Sequence, residues 1–207
     1  MHPLFQRHFG SCPLVAVIRG VTPDEVEAVG DALFDAGIRI IEVPLNSPEP
    51  LESIEKLAKH MGDKALVGAG TVLTLDQVAE VRTAGGMIVV SPNTNTEIIA
   101  ATVAADMVSC PGYFTPSEGF AALDAGAHAL KLFPAEAATP AYLRAQRAVL
   151  PRDVPILVVG SVKPDVLRPW LEAGANGFGL GSGVFKPGKS PSQVFESARA
   201  YVAALAK

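Results

Sequence analysis

The chain has 207 residues, 49% hydrophobic, 18% charged and only 6% aromatic, with a formal net charge of −4 at pH 7. That length and apolar content suit one compact domain, expected to span 1–207, with a sizeable core. The acidic balance without a Lys/Arg run excludes nucleic acid as a partner, and no apolar stretch reaches the length of a membrane span. Near the N-terminus, "FGSCPLVAVIRG" has the look of a short signal core, but Arg19 ends it and no small-residue cleavage site follows, so it reads as the first strand. Cys12 and Cys110 form no CxxC pair and read as small buried hydrophobes in a cytoplasmic protein. The histidines (His2, His8, His60, His128) lack H-x-H or H-E-x-x-H spacing, so no metal and no cofactor is expected.

From Leu14 onward one pattern recurs. Short β-rich runs stand at 14–19 (LVAVIR), 38–45 (IRIIEVPL), 65–71 (ALVGAGT), 87–91 (MIVVS), 107–110 (MVSC), 127–133 (AHALKLF), 155–160 (PILVVG) and 177–181 (GFGLG). Between them lie alanine-rich stretches of helical period such as DEVEAVGDALFDAG. Thr22–Glu25, Thr74–Gln77, Thr115–Glu118 and Ser190–Gln193 fit capping boxes, with Pro23 and Pro116 at the first helical position. Gly37, Gly85, Gly126 and Gly174 stand where a left-handed helix stop belongs. Eight strands alternating with eight helices imply parallel pairing. A doubly wound sheet would also satisfy the alternation, but eight regular units favour a single-domain α/β fold of the (β/α)8 TIM-barrel type, and no G-x-G-x-x-G follows the first strand.

In such a barrel the active site lies at the C-terminal ends of the strands. Arg19 ends the first run, Glu42 lies in the second, Thr71 ends the third, and Lys131 sits inside the sixth, "ALKLF". The seventh and eighth runs end in Gly160-Ser161 and Gly181-Ser182. Each has a bland alternative: Lys131 paired with Glu42, Thr71 as a helix cap. Together they fit one chemistry. A lysine in an apolar wall, with an arginine near, loses proton affinity and can form an imine with a ketone. Glu42 could move protons. Arg19 and Thr71 could hold a carboxylate, and the Gly-Ser backbones a phosphate. Ketone, carboxylate and phosphate describe a phosphorylated 2-keto acid, cleaved by a metal-free retro-aldol reaction.

The segments EVPLNS (42–47), VGAGTVL (67–73), CPG (110–112), LKLFPAEA (130–137) and GLGS (179–182) resemble the 2-keto-3-deoxy-6-phospho-sugar-acid aldolases, in register over roughly residues 11–205. The resemblance implies a class I aldolase, a TIM barrel assembled as a homotrimer. Its Schiff-base lysine falls on Lys131 and its acid/base glutamate on Glu42. It adds Asn46, Pro111, Phe133 and Val159 to the substrate-binding set of Arg19, Thr71, Gly160, Ser161, Gly181 and Ser182. The implied ligands are a phosphorylated 2-keto-3-deoxy sugar acid, pyruvate and glyceraldehyde 3-phosphate.

Within the family the chain is most similar to the phosphogalactonate branch. Asn46 stands where the phosphogluconate branch has arginine, and Val159 where that branch has threonine. Gluconate-specific or dual-specificity cleavage is the alternative; a non-catalytic phospho-sugar-acid binding protein is the reading from another class. One departure touches both branches: the usual Gly-Gly reads Gly160-Ser161, which matters if positive φ is needed there.

Overall fold

Parallel strands alternate with helices from Leu14 onward in the computed structural model, which describes residues 2–205. The order is α1 (Pro3–Ser11), β1 (Leu14–Val17), α2 (Val26–Asp35), β2 (Ile40–Pro44), α3 (Pro50–Met61), β3 (Leu66–Gly70), α4 (Leu75–Thr83), β4 (Ile88–Val90) and α5 (Thr96–Ala104). There follow β5 (Val108–Cys110), β6 (Gly112–Tyr113), α6 (Pro116–Asp124), β7 (Leu130–Leu132), α7 (Pro140–Arg147), β8 (Ile156–Val159), α8 (Leu167–Glu172), β9 (Gly177–Leu180) and α9 (Pro191–Leu205). The sheet order is β5-β4-β3-β2-β1-β9-β8-β7-β6. Its two ends are β5, which matches the fifth expected run at 107–110, and β6, which continues that strand beyond the expected run after an interruption at Pro111, a residue with no N–H to give a ladder. The ring closes through that strand: the His128 N–H donates to the Ser109 carbonyl and the Lys131 N–H to the Pro111 carbonyl, both at 2.9 Å. The fold is the expected α/β TIM-like barrel. None of the described helices is long and apolar enough to cross a membrane.

The sequence signals explain most boundaries. Thr74 and Thr115 cap α4 and α6 in complete capping boxes, and Ser190 and Gln193 bond reciprocally ahead of α9. The Thr22 box is only half formed. The Glu25 carboxylate accepts from the Thr22 N–H at 3.1 Å, but α2 starts at Val26 and Pro23 lies in the preceding turn. The four stop glycines hold φ between +83° and +110°, as left-handed caps require.

Alternate strand residues separate two apolar layers. One packs between strands and helices: Ala16, Ile41, Val67, Val89, Leu130, Val158 and Phe178 meet Val29, Leu33, Leu57, Leu143 and Val194. The other fills the barrel: Val15, Ile40, Leu66, Ile88, Val90, Val108, Cys110, Ala129 and Leu157, with Phe5 and Phe9 of α1. That first helix corrects the N-terminal expectation: Phe9–Ser11 are helical and the strand begins at Leu14. Pro3 at its start and the His2 Nδ1, which accepts the Leu4 N–H at 3.3 Å, begin it. Stacked Phe5 and Phe9 close the N-terminal end of the barrel, and Gly177 leaves room for them, since a Cβ there would lie 2.8 Å from the Phe9 ring.

Candidate active site

The strand register carries Glu42 and Lys131 into the interior, one step above the apolar layer. Glu42 follows inward-facing Ile40 on β2, and Lys131 of β7 follows inward-facing Ala129, the residue just before that strand. Both are buried, at 2% and 8% exposure, which sets them in a low-dielectric wall. They are not ion-paired: among the described residues no salt bridge joins them, and Glu42 Oε2 is buried without a hydrogen-bond partner. The bland pairing of Lys131 with Glu42 is thereby removed.

Their electrostatics follow from that placement. Burial lowers the proton affinity of the Lys131 amine; the Glu42 charge and, less, Cys110 oppose this, and Arg19 adds to it. Burial also pushes the Glu42 carboxyl up to about 7, against the opposing charges of Lys131 and Arg19. The Cys110 thiol is pushed up to about 12 by burial and is neutral. Both cysteines are buried and unpaired, as expected. Lys131 Nζ lies 4.7 Å from the centroid of the Phe133 ring.

Room for the carboxylate comes from a missing side chain. Gly70 ends β3 beside Glu42, and a Cβ there would overlap the carboxylate, with even Oε1 only 2.5 Å away. Gly68 and Gly70 of "VGAGT" differ in what they leave room for. Gly68 is a close-packing position, since its Cβ would sit 2.7 Å from the Ile88 nitrogen, whereas Gly70 is a notch for Glu42.

At the mouth, Arg19 reaches from the end of β1 across β2 and β3, donating to Asn46 Oδ1 and, at 3.4 Å, to Thr71 Oγ1. Thr71 holds a left-handed φ of 59°. Ser47, beside Asn46, accepts the Gly20 N–H at 3.0 Å and ties the first two loops together. Arg19 and Thr71, expected to hold a carboxylate, are therefore in one cluster with Asn46.

Across the mouth, Val159 leans into space left by Gly179 on β9, where a Cβ would be 2.7 Å from its Cγ2. Gly160 and Ser161 both adopt left-handed backbone, φ 127° and 43°, so the serine stands where glycine is the unstrained residue. Gly181 has open space above its Cα. Neither Gly-Ser pair runs directly into an α-helix. A short 3-10 turn (Pro164–Val166) precedes α8, and the Gly181 carbonyl accepts from the Val184 and Phe185 N–H groups in a turn well before α9. Pro111 lies buried between β5 and β6, beside Lys131 through the bond above. Two residues escaped the sequence reading. One is Gly70 in its notch role. The other is Glu136, whose carboxylate lies against Gly160 with Cδ 2.9 Å from where a Cβ would be.

A parallel barrel with a buried lysine and a buried carboxyl that feel each other's charge suits Schiff-base lyases, the class I aldolases. The chain matches the family model "Aldolase: KDPG and KHG aldolase" over residues 6–193 and belongs to that family. It is 45% identical over 192 residues to the 2-dehydro-3-deoxy-6-phosphogalactonate aldolase of Escherichia coli (strain K12), covering 93% of this chain and 94% of the relative. Identity is also 45% to a probable 2-dehydro-3-deoxy-6-phosphogalactonate aldolase of Rhizobium meliloti (strain 1021), over 93% of this chain and 91% of the relative. The solved native KDPGal structure superposes with a TM-score of 0.92 at 45% identity, covering 94% of each chain.

Proposed function

We propose that the protein reversibly cleaves 2-dehydro-3-deoxy-6-phosphogalactonate into pyruvate and D-glyceraldehyde 3-phosphate, with Lys131 as nucleophile and Glu42 as acid/base. The observation that carries this reading is the pair itself: an unpaired lysine of lowered proton affinity facing a carboxyl poised near neutrality in one dry wall. The neutral amine adds to the C2 carbonyl, and the protonated Glu42 carboxyl gives its proton to the departing hydroxyl, so that water leaves, the imine is left protonated and Glu42 becomes a carboxylate. Glu42 takes the proton of the C4 hydroxyl, the C3–C4 bond breaks, and its electron pair flows into the imine as an enamine while the aldehyde departs. A proton returned to C3 and hydrolysis of the imine release pyruvate and restore the lysine. A group near its own pKa at neutral pH serves both proton steps.

The carboxylate of the sugar acid is assigned to Arg19 and Thr71, with Asn46 orienting the arginine, and its C1–C3 portion to the space beside Pro111 and Phe133. The phosphate is assigned to Gly160, Ser161, Gly181 and Ser182. Val159 offers shape and no donor near C4, in keeping with the galactonate epimer. A homotrimer in the cytoplasm belongs to the same reading, and exposed Leu73, Leu75 and Phe120 are apolar surface that association would cover.

The test combines two measurements. Pyruvate release from the two C4-epimeric phospho-sugar acids should favour the galactonate compound, and borohydride added with pyruvate should leave a reduced adduct on Lys131. Preference for the gluconate epimer would move the protein to that specificity. An adduct elsewhere, or activity retained in Lys131→Ala, would overturn the mechanism.

A further inference from the structure

Glu136 has no part in the chemistry above, yet its carboxylate stands against Gly160, one of the residues assigned to the phosphate. It lies in the short 3-10 turn Ala135–Ala137, just beyond β7, and is exposed. Its carboxylate rests against Gly160 at the end of β8, the strand hydrogen-bonded to β7. The register sets Lys131 opposite Leu157, so Gly160 is three residues further toward the mouth. At roughly 3.3 Å per residue that is about 10 Å. A four-carbon lysine stem and a sugar-acid chain running from imine to phosphate span such a distance, and Glu136 borders their path. Among the described residues it makes no ion pair.

An ionised carboxylate only accepts hydrogen bonds. The aldehyde half of the substrate has a carbonyl at the reacting end, a phosphate at the other and a single hydroxyl between them. We propose that Glu136 is a specificity-determining residue that accepts a hydrogen bond from that hydroxyl, on the carbon next to the phosphate-bearing one. The proposal rests on the aldolase reading and its placement of the phosphate. It also gives the carboxylate a discriminating role. A negative group beside a phosphate is repulsive. The hydroxyl bond offsets that repulsion only for aldehydes that carry the hydroxyl, so those lacking it meet the repulsion alone.

The experiment measures kcat/KM for addition of pyruvate to four aldehydes: D-glyceraldehyde 3-phosphate, 3-phosphooxypropanal, D-glyceraldehyde and 3-hydroxypropanal. Parent, Glu136→Ala and Glu136→Gln are compared, with borohydride trapping of pyruvate as the check that the imine site is intact. The parent should prefer the phosphorylated hydroxyaldehyde over its deoxy analogue by about 10- to 100-fold, the range of a charge-assisted hydrogen bond. Glu136→Ala should bring that preference to within about threefold, and Glu136→Gln, which keeps an acceptor oxygen, should retain part of it. An unchanged preference in Glu136→Ala overturns the proposal. Equal gains on both phosphorylated aldehydes in both variants also overturn it, since Glu136 would then be only an electrostatic guard. Failure of the phosphate placement shows separately, as a parent indifferent to phosphorylation.

Discussion

Replacing Gly70 by alanine adds one methyl group at the point where β3 passes the Glu42 carboxylate. Even the farther oxygen, Oε1, would stand 2.5 Å from the new carbon, whereas an ordinary contact needs about 3.5 Å. The carboxylate must therefore withdraw by about 1 Å or more. The obstruction is the end of a side chain and not backbone, so the barrel should fold, with a stability loss of no more than about 1–3 kcal/mol. Displacement of a catalytic group by about 1 Å is enough to cost roughly 10²-fold in turnover. Pyruvate release should thus show kcat down by about 10²-fold, with KM little changed and borohydride trapping on Lys131 largely preserved. Gly68→Ala is the contrast, because its methyl would strike the Ile88 backbone and should cost folding instead. A Gly70→Ala enzyme that folds and keeps kcat within about threefold would refute the notch as the device that places the Glu42 carboxylate for proton transfer as proposed.

Two further outcomes follow from burial and backbone strain. Glu42 holds a proton in the folded chain up to about pH 7 that an unfolded chain releases near 4.5, so stability should fall as pH rises through that window. The fall should be roughly 3 kcal/mol and absent in Glu42→Gln, as read by urea unfolding at pH 5 and pH 8; an equal fall in the variant would remove Glu42 as its source. Ser161→Gly relieves a left-handed serine and should raise stability by up to about 1 kcal/mol. Weaker binding of the phosphorylated substrate in that variant would instead make the serine hydroxyl a ligand.

The barrel was legible because its signals are local. Capping threonines, stop glycines and short β-branched runs each act over a few residues, and most appear where expected. The miss at Thr22 is one of competition: the turn through Pro23 uses the Glu25 carboxylate, and regular helix begins only after it. Helix α1 was missed because nine residues hold too few periods to stand out, although Pro3 and the Phe5/Phe9 spacing were there to be read. Lys131 and Glu42 were legible as charges inside apolar runs. Gly70 and Glu136 were not, because their importance lies in what stands across from them. One faces a carboxylate from the neighbouring strand, the other a glycine on the neighbouring loop. No one-dimensional pattern records that.

The aromatic plug at the foot of the barrel belongs to the chemistry at its top. Burial is the first cause of the lowered proton affinity of Lys131, and burial has a floor as well as walls. Phe5 and Phe9 seal the N-terminal opening beneath Cys110, Ala129 and Leu157, the layer on which the lysine stands. The helix that supplies them adds two buried aromatic rings to the apolar layer beneath the lysine. The basicity of Lys131 thus depends in part on residues at the opposite pole of the molecule, through the apolar surroundings to which they contribute.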